Sequence, residues 1–288
     1  MVRKAVVTGG TGGIGFYVAS QLAEFGFAVT VVGRDVGRGQ EAARLIGEGT
    51  RFLQADLSSL RQTRELGARL AQEGPLHLLV NNVGGMWSTR WETVDGIEAS
   101  LAVNHLAPVV LTRELLGVLR AGAPSRIVEV TSSSITVAEV DGPLDYEEIE
   151  QAGDYYGMAA CGRAKLARLA HSQDLAEELK GSGITVLSVD PLGPAAAATP
   201  NAAAMTPQIL PPAVRHLWDA IQAGMRPAPE SAGPIVAAAI NPAFDDAAGL
   251  IVGPDGAPSQ DLLKYLSPEI SASVRTLTRR VLAEAERP

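Results

Sequence analysis

Short apolar runs alternate along the chain with longer segments in which apolar residues recur every three or four positions. The first pattern is typical of buried strands and the second of amphipathic helices. Strands are predicted at residues 4–7, 28–32, 51–55, 76–80, 126–130, 184–189 and 250–252. Helices are predicted between them, at residues 13–25, 38–46, 60–72, 94–119, 162–179 and 230–240. Because strands such as LHLLV and RIVEV are largely apolar, we expect an α/β fold with a doubly wound sheet of about seven parallel strands.

The domain organisation follows from the length and from two interruptions of this rhythm. The 288 residues suit a single α/β domain, which we place at residues 1–288. An acidic stretch at 142–154 and a stretch rich in Pro and Ala at 191–229 each follow a predicted strand. Ligands of open α/β sheets bind beyond the carboxyl ends of the strands. We therefore expect residues 191–229 to form a substrate-binding lid within the domain rather than a disordered linker.

Composition and charge narrow the class of function. A formal net charge of −8 disfavours nucleic-acid binding, which needs clustered cations. The single cysteine excludes an intrachain disulfide and a cysteine-rich zinc site, and the four histidines show no metal-ligand spacing. The apolar run at 235–240 is far shorter than the roughly 20 residues that span a bilayer. We expect a cytoplasmic protein with no metal site and no nucleic-acid or membrane partner.

A glycine-rich segment directly after the first predicted strand indicates a nucleotide site. Residues 8–15 read TGGTGGIG and lead into an amphipathic helix. Glycines at positions 9, 13 and 15 permit a tight turn, close approach of the backbone to a pyrophosphate and close packing of helix on strand. The free N–H groups of the helix N-terminus attract the same anion. The sequence predicts a Rossmann-type dinucleotide site with contacts from Gly9, Thr11, Gly13, Ile14 and Gly15.

Several motifs, in order along the chain, resemble those of the short-chain dehydrogenase/reductase superfamily. The glycine-rich segment resembles its TGxxxGxG signature, and residues 81–84 (NNVG) resemble its Asn-Asn-Ala-Gly motif. The layout of residues 145–179 and the tail after residue 230 are most similar to the retinol-dehydrogenase-type branch. By this resemblance the further site residues are Asp56 and Leu57 at the adenine, Asn82, Val83 and Gly84 at the cofactor, and Asn104 and Ser132 in the active site.

The resemblance also implies an activity and an assembly. Members of the superfamily transfer a hydride between a nicotinamide cofactor and a small-molecule substrate. We therefore expect such a substrate as the partner of this protein. By the same resemblance we expect a homo-oligomer, a dimer or a tetramer, that forms through the long helices at 94–119 and 156–179.

The end of the second predicted strand bears on the choice of cofactor. A carboxylate there would bind the ribose hydroxyls of NAD and repel the 2′-phosphate of NADP. By the resemblance this acid falls at position 33, which is Gly33, and Arg34 follows and can pair with a phosphate. A solvated loop arginine beside Asp35 is the alternative interpretation. We expect NADP as the cofactor, with NAD less favoured.

The catalytic helix departs from the superfamily pattern. The resemblance implies a tyrosine four residues before a lysine on one helix face, with the lysine lowering the pKa of the phenol and holding the nicotinamide ribose. Lys165 matches the lysine, but Cys161 stands four residues before it, where the tyrosine is expected. Tyr155 matches an additional tyrosine of the retinol-type branch. Tyr156, nine residues before Lys165, is the candidate substitute, at or before the start of the helix.

A cysteine in this place changes the expected chemistry. Acid–base assistance is worth roughly 10²–10⁴-fold in rate, and a thiol is acidic enough but short and a weak donor. One hypothesis is an oxidoreductase that acts on a conjugated, imine or carbonyl substrate with Ser132, Lys165 and a water. A second is a non-redox cyclase, isomerase or dehydratase, in which Cys161 can have a covalent role. A third is a nucleotide-binding partner protein without catalysis.

Two further features of the sequence concern the substrate side. The superfamily usually has Pro-Gly after the sixth strand, whereas residues 190–194 read DPLGP, which indicates a rebuilt loop at the nicotinamide carboxamide. Thr199 is the candidate for the threonine that often follows this loop. The preference for arginine over lysine and the alanine-rich loops are typical of GC-rich bacterial genomes, where divergent members serve specialised metabolism.

Overall fold

The computed structural model describes residues 2–138, 154–193, 197–199, 202 and 204–285. The predicted acidic stretch at 142–154 lies outside the described residues except for Asp154. The described part of the segment 191–229 contains short 3₁₀ turns, a short helix and two short strands. Its role as a substrate lid stays a prediction.

An eight-stranded sheet forms the centre of the fold, in the order β10-β9-β6-β5-β4-β1-β2-β3. A second sheet pairs β7 with β8. The strands are β1 (Lys4–Thr8), β2 (Ala28–Gly33), β3 (Arg51–Gln54), β4 (Leu78–Asn81), β5 (Ser125–Val130), β6 (Ile184–Val189), β7 (Ala197–Ala198), β8 (Arg226–Pro227), β9 (Ile251–Val252) and β10 (Pro258–Ser259). In the large sheet all neighbours pair in parallel except β9 and β10. The predicted α/β fold with seven parallel strands is confirmed, and the antiparallel edge strand β10 is an addition.

Helices cover both faces of this sheet. They are α1 (Gly13–Glu24), α2 (Val36–Ile46), α3 (Leu60–Ala71), α4 (Ala99–Ala121), α5 (Gly157–Glu178), α6 (Trp218–Ala223), α7 (Ala228–Ile240) and α8 (Pro268–Glu284). Within α4, residues Ala102–Leu106 form a π-helical turn. On one face α1 and α7 build a core with the strands, and on the other face α3, α4 and α5 build a second core. Helix α8 packs outside α4 and α5 in a third apolar cluster.

The helix boundaries differ from the prediction in two places. Helix α4 begins at Ala99 rather than at residue 94, because the carboxylate of Glu98 caps it by accepting hydrogen bonds from the N–H groups of Ser100 and Leu101. Helix α5 begins at Gly157 rather than at residue 162. Both corrections shift the ends of the elements and leave Asn104 and Lys165 on helices.

Helix α4 is also long and apolar enough to cross a membrane. Its apolar window is 72% buried inside the protein, which is the situation of a core helix. It is the one helix of this kind among the described residues.

The connections after the strands converge at one edge of the sheet. In parallel strands the carboxyl ends lie at the same edge, and ligands of this fold class bind there. The glycine-rich segment follows β1, Arg34 follows β2, Asn82 follows β4 and Ser132 follows β5. The fold therefore gathers the predicted site residues at this edge.

Candidate cofactor and active site

The glycine-rich segment between β1 and α1 has the conformation that the sequence predicts. Gly9 and Gly13 have φ angles of 65° and 53°, in the left-handed region that favours glycine. A β-carbon at Gly15 would lie 2.4 Å from both Nδ2 of Asn82 and the carbonyl oxygen of Gly9. Only glycine fits there, so the turn closes tightly over the N-terminus of α1. Its unpaired N–H groups favour binding of an anion such as a pyrophosphate.

Asn82 and Val83 hold this turn against the loop after β4. Nδ2 of Asn82 donates to the carbonyl oxygen of Thr8 at 2.9 Å. The N–H of Val83 donates to Oγ1 of Thr8 at 3.0 Å, and this hydroxyl donates to the carbonyl oxygen of Val80. The two loops that the sequence assigns to the cofactor are thus joined by side-chain hydrogen bonds.

Asp56 and Leu57, the predicted adenine contacts, follow β3. The carboxylate of Asp56 accepts hydrogen bonds from the N–H and the hydroxyl of Ser58, at 3.0 and 2.8 Å. Leu57 is buried and belongs to the core on the α3–α5 face. Its side chain therefore packs inside the protein, and its backbone remains the part that can reach a base.

The end of β2 presents a cation. Arg34 is exposed, and no ion pair of its guanidinium is found among the described residues. Asp35 is turned away to cap α2: its Oδ1 accepts from the N–H of Arg38 at 2.8 Å, and this hydrogen bond holds its pKa below the usual value. Arg38 lies 3.6 Å from the other oxygen of Asp35 and partly neutralises it. The sequence prediction did not include Arg38, although its place in the first turn of α2 was a signal.

Asn104 lies in the π-helical turn of α4, and its amide is fully engaged. Its Oδ1 accepts from the N–H of Gly85 at 3.0 Å, and its Nδ2 donates to the carbonyl oxygens of Gly85 and Ser100 at 2.8 and 3.1 Å. A β-carbon at Gly84 would lie 2.8 Å from Oδ1 of Asn104 and 3.2 Å from Nζ of Lys165. Asn104 and Lys165 therefore lie against the same side of Gly84 in the loop after β4.

Lys165 is buried at the carboxyl end of β5. Its ammonium donates to the carbonyl oxygen of Val130 at 2.7 Å. Burial, together with the nearby Arg168 guanidinium, lowers its pKa to about 7. Arg168 is itself paired with Glu129 at 2.5 Å. The ammonium of Lys165 is thus poised to lose its proton near neutral pH.

Ser132 and Cys161 are each hydrogen-bonded to Ser134, in the turn that follows β5. Oγ of Ser132 accepts from the N–H of Ser134 at 3.1 Å, and the hydroxyl of Ser134 donates to Sγ of Cys161 at 3.8 Å. Cys161 is only 6% exposed, and burial raises the pKa of its thiol. A protonated, buried thiol is a poor nucleophile and a poor proton donor.

The two tyrosines before α5 point to different partners. Tyr156 is the N-cap residue of α5, and its hydroxyl donates to Asp154 at 3.3 Å. Nine residues of helix separate it from Lys165 by about 13 Å along the axis. The hydroxyl of Tyr155 lies 3.3 Å from Oγ of Ser100 and 3.5 Å from Glu98. Tyr155 is thus connected to the helical turn before Asn104, and burial raises its pKa to about 12.

The loop after β6 is tied to the loop that carries Ser132. Oδ1 of Asp190 accepts from the N–H groups of Leu192 and Gly193, at 3.3 and 3.1 Å, and burial raises the pKa of this carboxyl group. Ser133 donates to the carbonyl oxygen of Gly193. Asp190 was not predicted as a site residue, since an acid before a proline gives no signal of burial.

Thr199 is placed near the glycine-rich segment. Its Cγ2 lies 3.5 Å from the position of a β-carbon on Gly13. It therefore neighbours the region in which a pyrophosphate would bind. The sequence predicted a role for Thr199 at the loop after β6, and the structure brings it to the cofactor side.

Comparison with known proteins finds relatives among the short chain dehydrogenases. A model of the short chain dehydrogenase family matches residues 3–143. Retinol dehydrogenase 12 of Bos taurus is 39% identical over 197 residues, which cover 66% of this chain and 60% of that protein. Polyprenol dehydrogenase of Mus musculus is 40% identical over 196 residues, or 65% of this chain and 57% of that protein. The chain belongs to the short-chain dehydrogenase/reductase superfamily.

Solved structures of the superfamily extend the comparison over most of the fold. A short chain dehydrogenase from Burkholderia cenocepacia J2315 in complex with NADP has a TM-score of 0.67 and 27% identity, and the match covers 89% of this chain and 98% of that one. A Pseudomonas aeruginosa RhlG/NADP complex has a TM-score of 0.64 and 26% identity, over 88% and 95%. The chain spans less than two thirds of the length of the curated dehydrogenases that it matches. The matched family segment ends before Cys161 and Lys165.

Proposed function

We propose that this protein is an NADP-dependent oxidoreductase of the superfamily, with Cys161 in the place of the usual catalytic tyrosine. The observation that carries the proposal is that Asn104 and Lys165 both lie against Gly84, in the loop that is hydrogen-bonded to Thr8 at the start of the glycine-rich turn. In this arrangement a cofactor on that turn reaches Lys165. The Cys161 thiol, one helical turn away, is buried, its pKa is raised and it donates hydrogen bonds weakly, so we assign the acid of the reaction to another group.

The residues of the glycine-rich turn and of the end of β2 fit NADP, which carries a pyrophosphate and a 2′-phosphate. The turn at Gly9–Gly15 would hold a pyrophosphate, and it is closed so tightly that a β-carbon at Gly15 would collide with the carbonyl oxygen of Gly9. Arg34 offers a guanidinium that has no ion pair within the described part of the chain, while Asp35 is occupied as the cap of α2. No carboxylate stands at position 33 to bind the ribose hydroxyls of NAD. These features favour NADP over NAD.

The chain's own groups can support hydride transfer without a phenol. An NADPH molecule held at this site would supply a hydride for an electrophilic carbon of the substrate. Lys165 holds the cofactor ribose through its ammonium, and the hydroxyl of Ser132 binds the substrate oxygen or nitrogen that gains electron density. A water delivers the proton to that atom, because the Cys161 thiol is buried against Ser134. A conjugated C=C or an imine needs less acid assistance than a simple ketone, so it is the favoured substrate.

The loop after β4 supports a planar substrate. Trp87 and Trp91 pack edge to face, with ring centroids 5.5 Å apart, and both are partly exposed. The Trp87 ring lies directly against Gly85, which is bonded to Asn104: a β-carbon on Gly85 would be 2.4 Å from the ring. Aromatic faces favour flat, apolar ligands. We therefore propose a planar conjugated small molecule as the substrate.

The absorbance of NADPH at 340 nm tests this proposal. The purified protein is mixed with NADPH and a panel of cyclic enones, cyclic imines, aldehydes and simple ketones. The proposal requires NADPH consumption with an enone or an imine, faster than with a matched saturated ketone. Lys165→Met should abolish this consumption. Trp91→Ala should raise KM for the planar substrates. NADPH that binds tightly and is never consumed contradicts the proposal.

A second candidate is a non-redox enzyme on the same scaffold, such as a cyclase, isomerase or dehydratase. It is favoured by Lys165, because a pKa of about 7 leaves part of the amine neutral and able to act as a base. Turnover of a substrate without consumption of NADPH would support it. Tight nucleotide binding with no turnover would instead support a partner protein that has lost catalysis.

The cellular setting and assembly are part of the proposal. We place the protein in the cytoplasm, in bacterial specialised metabolism, with a small-molecule substrate and no nucleic-acid or membrane partner. Self-association through α4 and α5 stays a prediction. Helix α8 already packs on these two helices through Val274, Leu277 and Val281, so such an interface would have to include α8. Light scattering on the full chain gives the oligomeric state.

A further inference from the structure

Helix α8 lies far from the glycine-rich turn in sequence but packs on the helix that carries Asn104. Val274, Leu277 and Val281 are fully buried in the cluster that contains Leu101, Ala102 and Leu106 of α4. These α4 residues surround and include part of the π-helical turn at 102–106. The C-terminal helix therefore shares an apolar cluster with the turn in which Asn104 lies.

One hydrogen bond joins the two helices inside this cluster. Nε2 of His105 lies 2.7 Å from Oγ1 of Thr278, and both residues are buried. The Thr278 hydroxyl has a single proton, which it donates to the carbonyl oxygen of Val274 at 2.7 Å. It therefore accepts from His105, whose proton must be on Nε2. The remaining ring nitrogen, Nδ1, has no partner among the described residues.

The same turn is also held by the hydrogen bonds of Asn104 to the loop after β4. Asn104 makes three hydrogen bonds, to both backbone groups of Gly85 and to the carbonyl oxygen of Ser100. His105 is the next residue along the turn. A π-helical turn lacks the regular α-helical hydrogen bonds and often marks a functional site. The geometry of the π-helical turn thus depends on the contacts of both Asn104 and His105.

We propose that His105 and Thr278 are positioning residues, and that their hydrogen bond makes α8 a structural part of the active site by fixing the π-helical turn and the orientation of Asn104. This inference rests on the proposed function for its effect on catalysis. It does not need that function for the structural link between Thr278 and Asn104. The two parts are therefore tested separately.

The catalytic test compares Thr278→Val with a matched control on the same helix. Thr276 is exposed, and its hydroxyl makes the same kind of bond, to the carbonyl oxygen of Ala272 at 3.1 Å. With the substrate found in the NADPH assay, Thr278→Val should lower kcat about 10- to 100-fold, because small misplacements of catalytic groups have effects of this size. KM for NADPH should stay within about twofold. Thr278→Ser keeps the acceptor oxygen and should restore kcat, and Thr276→Val should leave it unchanged.

The structural test uses NMR on the full chain. Histidine labelled with ¹⁵N shows which ring nitrogen carries the proton, and the signal of His105 is identified by its loss in His105→Gln. We expect the Nε2–H tautomer, and an Nδ1–H tautomer overturns the inference. Asparagine labelled with ¹⁵N gives five side-chain amide signals, one for each asparagine of the chain. The signal of Asn104 should shift in Thr278→Val and should not shift in Thr276→Val.

The outcomes separate this inference from the proposed function. If no substrate consumes NADPH, the function fails, while the Asn104 amide still shows whether Thr278 controls the turn. If the function holds but Thr278→Val keeps the kcat of the native protein, the positioning role is wrong. An equal loss of kcat in Thr278→Val and Thr276→Val also overturns it, because that loss reflects general destabilisation of α8.

Discussion

Thr11 lies so close to Gly33 that position 33 accepts only glycine without rearrangement. A β-carbon at Gly33 would be 2.7 Å from both Oγ1 and Cγ2 of Thr11. Position 33 is where an NAD-specific member of the superfamily would carry its acid. The glycine-rich turn and the end of β2 therefore exclude that acid together, through packing as well as through residue type.

This contact predicts how the cofactor preference responds to an added acid. Gly33→Asp alone should weaken NADPH binding without improving NADH binding, because the new side chain collides with Thr11. Thr11→Ala/Gly33→Asp removes the two 2.7 Å contacts and leaves the β-carbon of residue 11 at 3.3 Å, which a shift of a few tenths of an ångström accommodates. NADH affinity should then rise by about 10- to 150-fold, the effect of a charged hydrogen bond of about 1.5–3 kcal/mol. Gly37→Asp, on the exposed first turn of α2, is the control, and calorimetry is the measurement.

We predict that Arg34 accounts for most of the proposed preference for NADP over NAD. Arg34→Ala removes a charge-assisted contact to the 2′-phosphate, which is worth on the order of 1.5–3 kcal/mol. Calorimetry should show this loss for NADPH and little change for NADH. Arg38→Ala is the matched comparison and should cost less, since Arg38 is paired with Asp35. Equal losses for both nucleotides in Arg34→Ala would refute the assignment.

Cys161 should fill space rather than take part in the chemistry. Its thiol is buried beside Ser134 and its pKa is raised, so Cys161→Ala should keep the native activity within about tenfold, below the general acid–base range. Cys161→Tyr should lower that activity, because the ring takes the place of water or substrate, and it can introduce reduction of simple carbonyls. Steady-state rates on both variants are the measurement. Loss of turnover in Cys161→Ala with intact NADPH binding would instead make the thiol catalytic.

Acid should destabilise the fold through its buried histidines. Burial lowers the pKa of His105 far below its usual value, and burial also lowers the pKa of His171. The native state then binds fewer protons than the unfolded state, so stability is full above about pH 7 and falls as the pH drops below about 6.5. Each such histidine contributes up to about 1.4 kcal/mol per pH unit in that window.

Urea unfolding at pH 7.5, 6.5 and 5.5 measures this dependence. The free energy of unfolding should fall with pH more steeply in the native protein than in His105→Gln, which removes one of the titrating groups. His216→Gln, at an exposed position, should keep the native slope. A native slope that His105→Gln leaves unchanged would show that other groups govern the acid response.

Much of the fold could be predicted because its signals are local. A strand or an amphipathic helix is specified by the period of its own apolar residues, and the glycine-rich turn by glycines within eight positions. Helix α8 was missed although its signals are also local. Ser267 caps it, Pro268 occupies its first turn, and Val274, Leu277 and Val281 recur with helical spacing. These local signals are sufficient to specify the helix.

The sequence by itself determined the α/β sheet and the glycine-rich turn, and Asn104, Ser132 and Lys165 stay its predictions for the active site. Only the tertiary structure decided that Thr199 lies at the glycine-rich turn, that Tyr155 contacts Ser100, and that Thr278 contacts His105. Those pairs are far apart along the chain, and no periodicity encodes them. The apolar pattern of a helix selects which face is buried, but the neighbour on that face is chosen by the packing of the whole fold.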